Sequence, residues 1–358
     1  MANKNLLIVI HPYYQRGFEG FAKSMFKKGA VIAIGKNEQS YGINLKGSNW
    51  LLTKIFGRAA FWYPKLLPTI KLIKAHNIKR VHFVGEPTYL ANISLIIAML
   101  ICKIRVDYSC RCAQNIGFKI PFPFSLSVSL IKKYNAKIFP VSKVSKLYCE
   151  NYLKLKTQDI LPNGVPDYFY FDDKFRFTDK KTVLFVGSFF ERKGFLDFLE
   201  VSEELPQFQF VAVGGGIEKK DLNYFIKNFP KVKIMDRVSM QELINYYDEA
   251  KLLLVTSKMT YGGDLPGLRR LIKVPWSEQF CRVIIEAYSR GTEVVAYDSG
   301  AISSVIRDSE YLVKEGDIKK LTELTKIVMS EEIDLNKLED YSRGYTWDLV
   351  AEKFIALR

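Results

Sequence analysis

TVLFVGSFFERKG, residues 182–194, is the stretch that decides the fold. An apolar run ends at Gly187, a short loop follows, and Arg192-Lys193-Gly194 opens the next helical pattern. A strand that is apolar throughout is covered on both faces, which points to a parallel sheet flanked by helices. Gly187 permits close backbone approach, and two cations beside a helix start suit a diphosphate. The same residues also read as a solvated turn with an incidental Arg-Lys pair.

The alternation extends in both directions. Strands are expected near Leu6–Ile10, Ala30–Ile34, Arg80–Val84, Ile104–Ser109, Lys137–Val141 and Ile160–Pro162, then Thr182–Val186, Phe208–Val213, Val232–Met235, Leu252–Thr256 and Glu293–Tyr297. Helices such as Phe18–Lys28, Tyr89–Cys102 and Ser142–Leu155 lie between them. The pattern is α/β, two Rossmann-like doubly wound domains facing a central cleft at the carboxyl ends of their strands. At 358 residues with 48% apolar content, the chain suits two cores of roughly 150–180 residues each. The expected boundaries are 1–165, 166–345, and a C-terminal helix over 346–358 able to cross back to the first domain. Asp167–Lys181, charged and aromatic without a period, reads as the connection.

Charge divides at the same place. Residues 1–165 carry 25 cations against 6 acids, a net +19, and the remainder carries 28 cations against 32 acids, a net −4. A basic half implies an anionic surface, either lipid or nucleic acid. The five cysteines, at 102, 110, 112, 149 and 281, have no metal-type spacing and read as free thiols of a reducing cytoplasm. No signal peptide precedes Leu6–Ile10, and the longest apolar run, Leu90–Cys102, is too short to span a bilayer and reads as a buried helix.

A second stretch carries chemistry: EQFCRVIIEA, residues 278–287. Glu278 lies before a helix and Glu286 two turns inside it, near the face of Arg282 and Cys281. One acid can hold sugar hydroxyls and the other ribose hydroxyls, with helix N-terminal amides facing phosphate between them. The plain alternative is a capping Glu and a surface Glu; the apolar Val283–Ile285 and the strand after the helix favour burial of Glu286.

These motifs resemble glycosyltransferase family 4, retaining enzymes of the GT-B fold. PNGV at Pro162–Val165, VGSFFERKG at Val186–Gly194, VGGG at Val213–Gly216 and the run Glu278–Ile302 match that family in order, and the two acids match its EX7E pair. The likeness is good over about residues 135–310 and holds only in outline before that. It implies that Lys193 contacts the donor diphosphate, Glu278 the transferred sugar and Glu286 the ribose, with Arg237 and Val238 near the base. Gly187, Ser188, Phe280, Cys281 and Arg282 complete the implied donor site, and Lys193, Glu278 and Arg192 its catalytic set. Three positions depart from the pattern: Ser188 where Arg is usual, Cys281 where Gly is usual, and Ser303-Ser304 where Pro-Glu is usual. The loop Ser257–Ser277 is longer than in many relatives, and its Gly262-Gly263 and Arg269-Arg270 could contact acceptor or donor, or pack as a plain excursion.

The first half offers His11, Arg16 and Gly17 after the first strand, the pair Gln114-Asn115, and Asn163 as acceptor-side candidates; His82 reads as structural. Between Glu38 and Glu86 there are eight cations and no acid. Trp50, Lys54, Arg58 and Phe61 fall on one stripe if helical, with Trp62 beside them, the make-up of an interfacial anchor or of a helix packed on its own domain.

The expected function is transfer of a hexose-type sugar, with retention, from a UDP- or GDP-linked donor to a lipid-linked oligosaccharide at an anionic inner-membrane surface. The setting would be bacterial surface polysaccharide synthesis (O-antigen, capsule or similar) on the cytoplasmic face, with no cofactor, no metal and no nucleic acid required. The alternatives are a non-catalytic sugar-nucleotide-binding relative, a nucleotide-sugar hydrolase or epimerase, and a nucleic-acid-binding α/β protein.

Overall fold

The computed structural model describes residues 5–12, 14, 16–34, 42–45, 47–48, 62–103, 107–113, 120, 122–170, 181–261 and 275–357. The chain divides into two compact units, one built from Met1–Gly164 and Trp347–Arg358, the other from Val165–Tyr261 and Pro275–Thr346.

The first unit is organised on β1 (Leu6–Ile10), β2 (Val31–Ile34), β3 (Gly42–Asn44), β6 (Arg80–Val84), β7 (Asp107–Cys112) and β8 (Lys137–Pro140). They form a parallel sheet ordered β3-β2-β1-β6-β7-β8, while β4 (Gly47–Ser48) and β5 (Tyr63–Pro64) make a small antiparallel ribbon apart from it. All five residues of β1 are buried, and because side chains alternate across a strand, each face receives its own core. Leu6, Ile8 and Ile10 pack with Phe21 and Met25 of α1 (Glu19–Lys27) and with Val350 and Phe354 of α12 (Trp347–Ala356). Leu7 and Val9 belong to the other core, with Leu72 of α2 (Leu66–Ala75), Leu95 and Met99 of α3 (Ala91–Ile101) and Ile131 of α4 (Phe124–Lys133). The last helix is locked in place by shape. A side chain at Gly20 or Gly164 would strike the Trp347 indole, and Ser24 donates to Asp348.

The second unit repeats the plan with β9 (Thr182–Ser188), β10 (Gln209–Gly215), β11 (Val232–Met235), β12 (Ala250–Val255), β15 (Glu293–Tyr297) and β16 (Leu312–Val313), ordered β11-β10-β9-β12-β15-β16 and parallel throughout. Phe185 of β9 stacks among Phe189, Phe195 and Phe198, the last two on α6 (Phe195–Glu204). α7 (Lys219–Asn228) follows β10, and α8 (Met240–Glu249) starts with a capping box in which Ser239 and Glu242 bond each other's backbone amides. Behind the sheet, Arg290 at the end of α9 (Arg282–Ser289) grips Asp248 through two 2.6 Å bonds and donates to the Phe169 carbonyl. After β16 the unit closes with α10 (Ile318–Ser330) and α11 (Leu335–Arg343), each started by an aspartate that accepts from a backbone amide three residues on. The chain leaves β9 toward β10 on one side and returns to β12 on the other. That reversal opens a crevice at the carboxyl ends of β9 and β12, where ligands of such sheets bind.

Several expectations need correcting. No strand forms at Ile160–Pro162; Leu161 donates once to Pro140, and Pro162 has no N–H to extend a ladder. The strand expected at Ile104–Ser109 is Asp107–Cys112 among the described residues, because Cys110 and Cys112 serve as its buried apolar side chains. The helix expected over Ser142–Leu155 is α5 (Lys143–Tyr148) followed by a wider turn, Cys149–Leu153, closed by left-handed Lys154. Helix α3 is buried on one face only: Ile97, Leu100 and Ile101 are 38%, 46% and 51% exposed. Among the described residues, no helix is long and apolar enough to cross a membrane.

Candidate active site

The site of the second unit begins with a glycine. Gly194 has φ +63°, and a side chain there would strike the Thr256 carbonyl at the end of β12. Thr256 in turn donates to the carbonyls of Lys193 and Gly194, at 3.0 and 2.8 Å. The turn after β9 is thereby clamped to the neighbouring strand, which fixes the root of Lys193. Its ammonium reaches Glu278 at 2.5 Å.

Glu278 is held just as firmly. Gly300, φ +60°, lies so close that a Cβ would sit 2.7 Å from the Glu278 nitrogen, and Ala301 donates to the Glu278 carbonyl at 2.8 Å. Glu278 is only 8% exposed, and its carboxylate also accepts from the Ser257 hydroxyl at 3.2 Å. Burial pushes the Glu278 carboxyl up, but Lys193 and Ser257 outweigh it and leave it below the ordinary range. Burial likewise disfavours the Lys193 ammonium, and Glu278 more than restores it, so the amine is a stronger base than usual.

Three residues further, Cys281 starts α9 in the left-handed region, φ +60°, ψ +66°. For a residue with a Cβ this costs about 1–2 kcal/mol and calls for a surrounding structure that imposes it. Here the imposition comes from the Glu278 clamp on one side and from Ile284 donating to the Cys281 carbonyl on the other. Burial and the nearby Glu278 push the thiol well above its usual range, so it is no thiolate nucleophile. One turn on, Glu286 is 4% exposed and takes Arg282 at 2.8 Å and the Tyr247 hydroxyl at 3.1 Å.

These groups surround a cavity of about 260 Å³ whose lining includes Gly187, Lys193, Ser257, Glu278, Cys281, Arg282 and Glu286. Its two cations, Lys193 and Arg282, are each matched to one carboxylate, so the resting cavity is neutral. A dianionic ligand would take over the cations, and a ligand rich in hydroxyls would satisfy the carboxylates.

Other residues singled out in the sequence lie elsewhere. Arg192 stacks over Phe190 and Trp276 at 5.4 and 5.0 Å and is not in the cavity lining. Ser188 ends β9 in register with Gly215, and Phe280 is buried against Tyr345. Arg237 and Val238 follow β11; exposed Arg237 lies beside Gly215, and neither residue lines the cavity. The long loop starts and ends in a two-stranded ribbon, β13 (Thr260–Tyr261) with β14 (Pro275–Trp276); its Gly262-Gly263 and Arg269-Arg270 are outside the described residues. Sequence reading missed Trp276, whose ring lies 5.0 Å from Lys193 as well as from Arg192, and Tyr247, Ser257 and Thr256. Trp276 stands two residues before Glu278, a legible signal, whereas nothing local marks Tyr247 as the partner of Glu286.

In the first unit His11 is not an open ligand but 1% exposed, its ring among those of Tyr14, Trp62, Phe83 and Tyr89. Trp62 therefore packs inward rather than forming part of a membrane anchor. Asn163 accepts from buried Arg111 at 2.8 Å. His82 is buried and bonded to Ser109, a structural place. Gly17 lies in the turn Arg16–Phe18. The side chain of Arg16, and Trp50, Lys54, Arg58, Phe61, Gln114 and Asn115, are outside the described residues.

Known proteins share this architecture. Over 205 residues, 54% of this chain, it is 26% identical to a human protein, one subunit of phosphatidylinositol N-acetylglucosaminyltransferase. The chain spans only 39% and 54% of the lengths of the curated relatives it matches. Among solved structures, a glycosyltransferase from Rickettsia africae superposes with TM-score 0.71 at 17% identity, covering 99% of this chain and 97% of the other. Anabaena HepE, solved in complex with UDP, gives 0.68 at 14% identity and covers 98% of both chains. Likenesses at such identities show the fold, two parallel-sheet Rossmann-like units of GT-B type. The sequence match is more specific in one place: residues 169–345, nearly all of the second unit, match the family of glycosyl transferases group 1.

Proposed function

We propose that the protein is a retaining glycosyltransferase of family 4 that uses a UDP- or GDP-linked hexose-type donor. The observation that carries this reading is the convergence of Lys193, Glu278 and Glu286 on one cavity at the carboxyl ends of β9 and β12. In it, Lys193 binds and stabilises the departing diphosphate, while Glu278 orients the sugar through its hydroxyls. Glu286, held by Arg282 and Tyr247, takes the ribose hydroxyls. The acceptor hydroxyl attacks from the face the nucleotide leaves, and a β-phosphate oxygen takes its proton. No protein nucleophile and no metal is called for. Arg192, pinned by two rings, acts at most through the shape of the loop.

For the acceptor, the reading is a lipid-linked saccharide at an anionic membrane, in assembly of a bacterial surface polysaccharide. It is supported by the net charge of +19 over residues 1–165 and by the human relative's name, which specifies a phosphatidylinositol acceptor for that protein. The test is transfer from radiolabelled nucleotide sugars to extracted lipid-linked acceptors. Lys193→Ala and Glu286→Ala are expected to lose transfer by at least a hundredfold while remaining folded. A folded Glu286→Ala variant with unchanged turnover would sink the assignment.

A further inference from the structure

Helix α3 is apolar except for Asn92 and Ser94 near its start, whose side chains are bonded to Ser127 and to the Glu86 and Pro64 carbonyls. Its inner face fills the first unit's core, and each of its exposed positions, Ile97, Leu100 and Ile101, is apolar too. A helix of this kind is normally buried on both sides. It is the middle of a three-helix layer, packed on α2 on one side and on α4 on the other. Both neighbours add an exposed leucine, Leu67 at 72% and Leu126 at 51%.

Around this apolar face the charge is of one sign. Lys71 and Lys74 on α2, Lys132 and Lys133 on α4, and Lys79 and Lys103 between elements are exposed. Helices that cross over a parallel sheet run alike, so their carboxyl ends, with most of these lysines, meet at one edge of the layer. There Lys74, Asn77, Lys79 and Lys103 line a depression of about 470 Å³, large enough for a phosphate group. From Glu38 to Glu150 the sequence has only two acids between; Glu86 is buried and Asp107 faces Lys137 at 3.9 Å.

We propose that this outer face of α2, α3 and α4 docks on an anionic lipid bilayer, with Ile97, Leu100 and Ile101 entering the acyl boundary and the lysines engaging headgroup phosphates. Lysine favours this occupant over a protein, because protein interfaces are depleted of lysine and enriched in arginine and aromatics. Long lysine stems lie along apolar surface while their ammonium groups reach the headgroups. At about 16 Å, α3 is too short to cross a core of about 30 Å, so it lies on the membrane. The inference gives a place to the membrane association proposed above and rests on it.

The experiment is cosedimentation of the full chain with phosphatidylcholine vesicles, with and without phosphatidylglycerol, at low and high salt. Wild type is expected to bind only the anionic vesicles, and to lose binding as salt rises. Leu100→Glu with Ile101→Glu should weaken that binding at least tenfold. Lys74→Gln with Lys103→Gln should weaken it by about fivefold per lysine; being exposed, these four positions leave the melting temperature unchanged. If wild type binds no vesicles, the membrane reading itself fails and this inference with it. If wild type binds and both double variants bind equally well, the membrane reading stands and the placement on α3 is overturned. If the leucine-isoleucine variant instead loses self-association by sedimentation velocity, with vesicle binding intact, the face belongs to a second copy of the chain.

Discussion

Replacing Glu278 by Gln isolates the ion pair at the centre of the cavity. The two side chains are 23% and 11% exposed, so the pair is largely out of water. Removing one partner of a buried pair costs about 3–5 kcal/mol, chiefly by leaving the other charge uncompensated. Lys193 keeps some solvent and Gln keeps a hydrogen bond, which places the loss nearer ~2–3 kcal/mol. For a unit of this size, that lowers the melting temperature by about 5–10 °C. A nucleoside diphosphate would compensate the stranded ammonium. The variant should therefore bind free UDP or GDP about tenfold more tightly than wild type, equivalent to ~1.4 kcal/mol, while losing sugar transfer. The pH dependence separates the pair from other effects. Glu278 titrates lower in the folded protein than in the unfolded chain, so its stabilisation is present above about pH 4.3 and is lost as the pH falls through the folded value. Lys193 is raised, so its contribution is present below about pH 10.4 and is lost as the pH climbs through its folded value. Thermal unfolding across this range, with calorimetric titration of the diphosphates, measures all of it. A Glu278→Gln variant as stable as wild type at neutral pH, with no gain in diphosphate affinity, would refute the reasoning.

Two further substitutions test the supports. Gly300→Ala puts a Cβ against the Glu278 backbone at φ +60°, and should cost ~2–4 kcal/mol and lower donor affinity together, read by melting temperature and titration. Asp248→Ala strands buried Arg290, a pair that does not line the cavity, and should cost ~3–5 kcal/mol, with donor affinity unchanged at temperatures where the protein stays folded.

Much of the fold is legible because parallel strands buried on both faces spell themselves out, as LLIVI at Leu6–Ile10 and TVLFV at Thr182–Val186 do. Misreadings arise where burial uses unexpected chemistry. Asp107–Cys112 looks too polar for a strand until its cysteines are seen as core and Arg111 as tied to the Leu161 carbonyl and to Asn163. In the site, Lys193, Glu278, Cys281 and Glu286 are legible from spacing and resemblance. Their pairing is not, because it depends on Thr256, Ser257 and Tyr247, brought from other elements by the sheet order. The exposed side of α3 is hidden for a related reason: hydropathy reports that a helix is apolar, not how many of its faces find a partner.

Whether the cavity of the second unit holds a nucleotide sugar is measured by titration calorimetry over a set of UDP- and GDP-linked hexoses. At least one of them should bind the wild type saturably and one-to-one, and Glu286→Ala, measured at a temperature where it remains folded, should lose a hundredfold or more in affinity. Binding to wild type and Glu286→Ala with equal affinity would contradict the donor-site assignment.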